Sequence, residues 1–244
     1  LRVVNSFLWP YLLITLHFVS GAIWIVVINR KSDHKSSKKQ WIKYFTYVAL
    51  FNVIWLSVIG TPSLFVLLGT LLLLVGAWEW WNAVSDSNGR IWLLAGYLAV
   101  AWGFWNFLHR APSDILFVVF VVMLFDGSCQ ISGQVMGKTS LLPKISPNKT
   151  REGLVGGTLI TLASVLLVKN SFVMGWWEII FKSLLIMSSA FLGDLAASFV
   201  KRKAKLATFG FCLPGHGGFL DRFDSLFMAA GVISMLSFLN LFWT

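Results

Sequence analysis

The run Asp114-Ile-Leu-Phe-Val-Val-Phe-Val-Val-Met-Leu-Phe-Asp126 sets eleven apolar residues in a row between two carboxylates. The run does not alternate, as a membrane strand of about 9–11 residues would, and it lies within a longer apolar stretch, 114–134. A membrane-spanning helix fits both facts. Similar stretches recur along the chain. Hydrophobic residues make up 57% of the 244 and charged ones only 12%, against about 45–50% and roughly 25% in soluble domains. The expected fold is therefore all-α: a polytopic integral membrane protein of about eight spanning helices.

Those spans are predicted at about 7–28, 44–60, 63–82, 91–109, 114–134, 154–170, 176–200 and 222–242. Thr61-Pro62 separates the second from the third, and Ser85–Gly89 and Arg110–Ser113 are turns. The first run has no basic leader and no small-residue cleavage site, so it reads as a membrane helix. The net charge of +10 is unevenly placed: 16 of 20 Lys and Arg fall in 30–43, 83–90, 134–152 and 201–222. Putting those four segments on the cytoplasmic side satisfies the positive-inside rule throughout. The basic charge is then explained by topology and anionic lipid, not nucleic acid. Cys129 and Cys212 stand alone, without metal-ligand spacing or a reason to pair. With no internal repeat, a single membrane domain over 1–244 is expected.

Two inner segments, 134–153 and 201–221, carry most of the unusual residues. The segment Gly193-Asp-Leu-Ala-Ala-Ser-Phe-Val-Lys-Arg202 places Asp194, Ser198, Lys201 and Arg202, with Lys205 beyond, at i, i+4, i+7, i+8 and i+11. That spacing predicts one polar face on an apolar helix. Charges are expensive there, so such a face marks a site. Leu213-Pro-Gly-His-Gly-Gly-Phe-Leu-Asp-Arg-Phe-Asp-Ser225 follows. Asp221 and Asp224 read as an N-cap and an acid three residues on; beside Asp194 they also read as oxygen ligands for a hard divalent cation such as Mg²⁺. Gly215, Gly217 and Gly218 can turn their N–H groups toward an anion, and His216 reads as a hydrogen-bonding residue. Lys138, Lys144, Lys149 and Arg151 could hold a polyphosphate. Gly153 and Gly157 equally fit close packing between helices. Glu79, among Trp78, Trp80 and Trp81, is expected to snorkel to the interface beside an aromatic belt.

At these residues the chain resembles the phosphatidate cytidylyltransferase (CDP-diacylglycerol synthase) family. Ser198, Lys201-Arg202, Pro214–Gly218, Asp221-Arg222 and Asp224 match its signature in order and spacing. Pro143-Lys-Ile-Ser146-Pro, Lys149-Thr150, Glu152-Gly153 and Ala77-Trp-Glu-Trp80 look like the family too, so the matches cover about 76–225, with 1–75 less diagnostic. The resemblance implies that CTP and phosphatidate, or a related lipid phosphate, react at the cytoplasmic face of the membrane. It implies a two-cation magnesium centre on Asp194 and Asp221, with Asp224 close by. Lys201, Arg202 and Arg222 are then expected to steady the phosphates, with Lys138, Ser146, Lys149, Thr150, Ser198, Gly215, His216, Gly217 and Gly218 binding substrate. The chain departs from the family at Ala207-Thr208, where Lys-Asp is usual, and at Cys129-Gln130, where Ala-Tyr is usual. A CTP-dependent lipid kinase, a lipid-binding paralogue with weakened catalysis and a transporter stay open, as does assembly into a homo-oligomer.

Overall fold

The structure, a computed structural model, describes residues 7–30, 34–85, 89–213 and 217–238. Each expected span becomes a helix. In chain order these are α1 (Leu8–Asn29), α2 (His34–Gly60), α3 (Pro62–Val84), α4 (Arg90–Phe107) and α5 (Pro112–Met136). A hairpin, β1 (Ser140–Leu142) and β2 (Ser146–Thr150), precedes α6 (Arg151–Leu167), the one-turn α7 (Lys169–Phe172), α8 (Trp176–Lys203) and α9 (Leu220–Phe238). Among the described residues, five helices are long and apolar enough to cross a membrane: α1, α2, α3, α5 and α8. The chain is thus a helical membrane protein.

Two elements differ from expectation. Helix α2 begins at His34, inside the polar segment read between the first two spans. The stretch 34–43 has no Gly or Pro to stop the helix, and Lys and Gln propagate it well. The segment after α5, expected as a loop, forms the antiparallel hairpin, pairing Ser140 with Thr150 and Leu142 with Ser146.

The chain folds as two compact units. The first comprises Leu1–Val53 and Val119–Leu184. Here Pro10, Ile14 and Phe18 form the buried stripe of α1 at i, i+4 and i+8. The opposite face is left to lipid, with Leu16 and Ile23 more than 60% exposed. Tyr44 donates to the Phe18 carbonyl at 3.0 Å and Tyr47 to that of Met123 at 3.3 Å. Thr150 caps α6, its Oγ1 accepting from the Gly153 N–H at 3.1 Å. Glycines bring α6 against α5: a Cβ on Gly157 would lie 2.3 Å from Cys129 Sγ, and one on Gly153 2.9 Å from the Cys129 carbonyl oxygen. Both glycines therefore serve packing.

The second unit comprises Ile54–Val118 and Leu185–Thr244. Its helices α4 and α9 cross where a Cβ on Gly103 would sit 2.5 Å from the Gly231 carbonyl oxygen. One turn on, Phe104 and Phe227 stack at 4.3 Å with 5° between rings. This is the close approach that small residues permit in a membrane. Helices α8 and α9 meet in the same way, a Cβ on Gly193 falling 2.7 Å from the Asp224 carbonyl oxygen. The unit carries the site.

Candidate functional site

Helix α8 ends where its basic residues begin to matter. Lys205 adopts φ 56°, and Leu206 N–H returns to the Lys201 carbonyl at 2.8 Å, closing the helix in a left-handed cap. Lys205 therefore lies past the helix and leaves the expected polar face. Lys201 stays on the helix and turns its ammonium to Asp221 Oδ1 at 2.7 Å, with side chains only 15% and 6% exposed. The Lys201 ammonium also lies 5.2 Å from the centroid of the Phe209 ring. The other Asp221 oxygen, Oδ2, accepts from Phe209 N–H at 2.8 Å and Gly218 N–H at 2.9 Å. One carboxylate thus ties a lysine to both ends of the glycine-bearing loop.

Asp221 was expected at the helix cap. It sits instead in the first turn of α9, and the cap comes from a helix far away in sequence. Glu79 of α3, 0% exposed, accepts from Phe219 N–H through Oε1 at 3.0 Å and from Leu220 N–H through Oε2 at 2.8 Å. The free N–H groups and positive end of a helix are satisfied by such a carboxylate. The snorkelling expected of Glu79 is therefore wrong: its environment is packed protein. Of the tryptophans beside it, Trp78 and Trp81 are 59% and 54% exposed, as a belt would be. Trp80 instead stacks on Tyr97 and Phe209, at 5.4 and 5.8 Å. Gly218 is required here, since a Cβ on it would lie 2.5 Å from Glu79 Oε1. Gly217 is required for its backbone, at φ 101°.

The remaining expected residues are placed as follows. Ser198 Oγ donates to Asp194 Oδ1 at 3.4 Å, one turn apart on α8. Asp224 Oδ1 accepts from Ser225 N–H at 2.8 Å. Arg202 is exposed at the end of α8, and Arg222 is half-buried in the first turn of α9. Gly215 and His216 lie outside the described residues. Among the described residues no group of three or more His, Cys, Asp or Glu is set to hold a metal ion. Asp221, whose oxygens bond a lysine and two N–H groups, could take a cation only by exchanging those partners.

Lys138, Ser146, Lys149 and Thr150 belong to the first unit, on and around the hairpin. Glu152 holds that hairpin, accepting from Lys138 N–H at 3.1 Å and Thr139 N–H at 3.2 Å. Its own N–H and those two amides hold its carboxyl down at about 2. The hairpin keeps Lys149 half-buried and Lys138 exposed.

A membrane-embedded helical protein with a lysine–aspartate pair on a glycine loop is the class that fold and site define. The model of the Cytidylyltransferase family matches residues 3–240, and the chain belongs to that family. It is 40% identical over 136 residues to a phosphatidate cytidylyltransferase of Staphylococcus saprophyticus, covering 53% of this chain and 52% of the relative. A Staphylococcus epidermidis protein of the same name is 42% identical over 125 residues, 50% of this chain and 48% of the relative. The chain thus spans about half the length of these staphylococcal relatives. A Brucella abortus phosphatidate cytidylyltransferase is 28% identical over 252 residues, 95% of this chain and 90% of that one.

Proposed function

We propose that the chain is a phosphatidate cytidylyltransferase. CTP and phosphatidate, or a related lipid phosphate, give CDP-diacylglycerol and pyrophosphate. A phosphate oxygen of the lipid attacks the α-phosphorus of CTP. The new P–O bond forms as the bond to the β-phosphate breaks, and pyrophosphate carries away the negative charge. No covalent enzyme intermediate is needed, so the work of the chain is positioning and charge neutralisation. Family membership supports the reaction class, and the Lys201–Asp221 pair on the glycine loop is the observation that carries the site.

In this reading Lys201, Arg202 and Arg222 receive phosphate oxygens at the ends of α8 and α9. The Gly217–Gly218 backbone, pinned by Asp221 and Glu79, keeps the loop open to the triphosphate. Lys138, Ser146, Lys149 and Thr150 supply the second set of substrate contacts. Magnesium enters as the ion that neutralises the triphosphate, with Asp194, Asp221 and Asp224 as its proposed ligands. The basic segments favour an active site on the cytoplasmic side of the membrane.

The test uses purified full chain, labelled CTP, phosphatidate and Mg²⁺, comparing wild type with Lys201→Met. Lipid-linked CMP and pyrophosphate from wild type alone support the proposal. Release of CDP instead identifies a lipid kinase. Folded protein that yields no product with several phosphatidates overturns it.

A further inference from the structure

The second unit contains a cavity of about 250 Å³ whose wall is almost entirely apolar. Trp92 and Gly96 of α4 face Ala196 and Phe199 of α8 across its mouth. Trp92 is 82% and Phe199 50% exposed, and Gly96 and Ala196 are exposed as well. On helices this apolar the surroundings of such residues are lipid, so the mouth opens sideways into the bilayer. The inner wall is formed by buried Tyr97, Ala197 and Phe227. Phe209 closes it, the same ring that lies under the Lys201 ammonium. Asp224, beside the α8–α9 contact, is its one charged lining residue.

We propose that this cavity takes one acyl chain of the lipid phosphate substrate, a reading that rests on the function proposed above. Three observations select that occupant. The wall offers no hydrogen-bonding set for a nucleotide base, only carbon surface and one carboxylate at the end. The mouth is reached from the bilayer without crossing water. Through Phe209, the cavity adjoins the cation that would hold the lipid's phosphate. A chain seated here places the headgroup at Lys201, so apolar burial and ion pairing act on one molecule. The volume lies just below the range of about 300–1,000 Å³ usual for ligand pockets, which suits a single chain.

Gly96 gives the test. A Cβ there meets nothing within 4 Å, so Gly96→Leu fills the mouth without disturbing packed neighbours. The full chain is placed in phosphatidylcholine nanodiscs with phosphatidate carrying a diazirine near its methyl end. After irradiation the adducts are mapped by mass spectrometry. The expected adducts fall on Trp92, Tyr97, Phe199 or Phe227. Unlabelled phosphatidate competes them away, and added phosphatidylcholine does not. Gly96→Leu reduces them at least about tenfold, the affinity lost with two buried methylenes. Gly60→Ala, whose Cβ also meets open space but lies away from the cavity, keeps them. Labelling scattered over exposed helix faces, or equal competition by phosphatidylcholine, would mean bulk lipid and overturn the proposal. CTP turnover is measured in parallel. Specific labelling without turnover leaves the cavity standing and removes the reaction; turnover with labelling elsewhere does the reverse.

Discussion

Replacing Glu79 by Gln tests whether the glycine loop is held from α3. The side chain is wholly buried, and its two oxygens accept from Phe219 and Leu220 N–H groups at 3.0 and 2.8 Å. Glutamine is nearly isosteric but presents one oxygen and one NH₂. Whichever way the amide turns, one backbone N–H meets another donor. A hydrogen bond to a charged group contributes about 1.5–3 kcal/mol, and an orphaned buried donor costs about 1–3 kcal/mol more. The expected loss is therefore about 3–5 kcal/mol. For a chain of this size each kcal/mol moves the melting temperature by about 2–4 °C, so a fall near 10 °C is expected. Tryptophan fluorescence of the detergent-solubilised protein would follow the melt. Turnover should fall as well at temperatures where the variant is still folded, because Gly218 and Asp221 lose the frame that sets their backbone. A variant that melts within about 2 °C of wild type and keeps its turnover would refute the reasoning.

Three further outcomes follow from the same geometry. Lys201→Met leaves the Asp221 carboxylate, 6% exposed, without its cation; breaking such a pair costs about 3–5 kcal/mol, seen as a lower melting temperature and lost lipid-linked CMP. Gly218→Ala drives a Cβ to 2.5 Å from Glu79 Oε1, so destabilisation of about 1–3 kcal/mol is expected in the same melt. Glu152, its carboxyl held at about 2 instead of 4.5, contributes stability that is complete above about pH 4.5. It is lost as pH falls toward 2. Amide exchange at Lys138 and Thr139 should accordingly be unchanged from pH 8 to 5 and should accelerate on further acidification, while Glu152→Gln is faster already at pH 7.

The helical membrane fold is legible in the sequence because its signal is local. Eleven apolar residues such as Ile115–Phe125 can be satisfied only as a helix in lipid or core, and all of them are at most 8% exposed. The charged cluster is legible for a similar reason: Lys201, Asp221 and Gly218 are too costly or too particular to be incidental. The hairpin at 140–150 is not, since its strands carry no alternation and are held by Thr150 and Glu152 at the start of α6. Lys205 is lost from the α8 face because a helix end depends on the path of the chain beyond it, which periodicity does not register.

Glu79 shows the deeper limit. A lone carboxylate in Ala77-Trp-Glu-Trp80 gives no sign of its partners, which are N–H groups some 140 residues away. What sequence supplies is only the complementary anomaly: α9 starts at Leu220 with Gly218 and Phe219 before it, and neither can cap it with a side chain. A buried acid without a local cation and a helix start without a local cap are two halves of one account, because each needs what the other lacks. The pairing also explains why the loop has two acids to hold it. Glu79 fixes the N–H groups of 219 and 220 from below the turn, which leaves Asp221 free of capping and able to reach Lys201, Phe209 and Gly218. Were Asp221 the cap, its carboxylate would be spent on its own helix, and the lysine would have no partner to hold it at the loop.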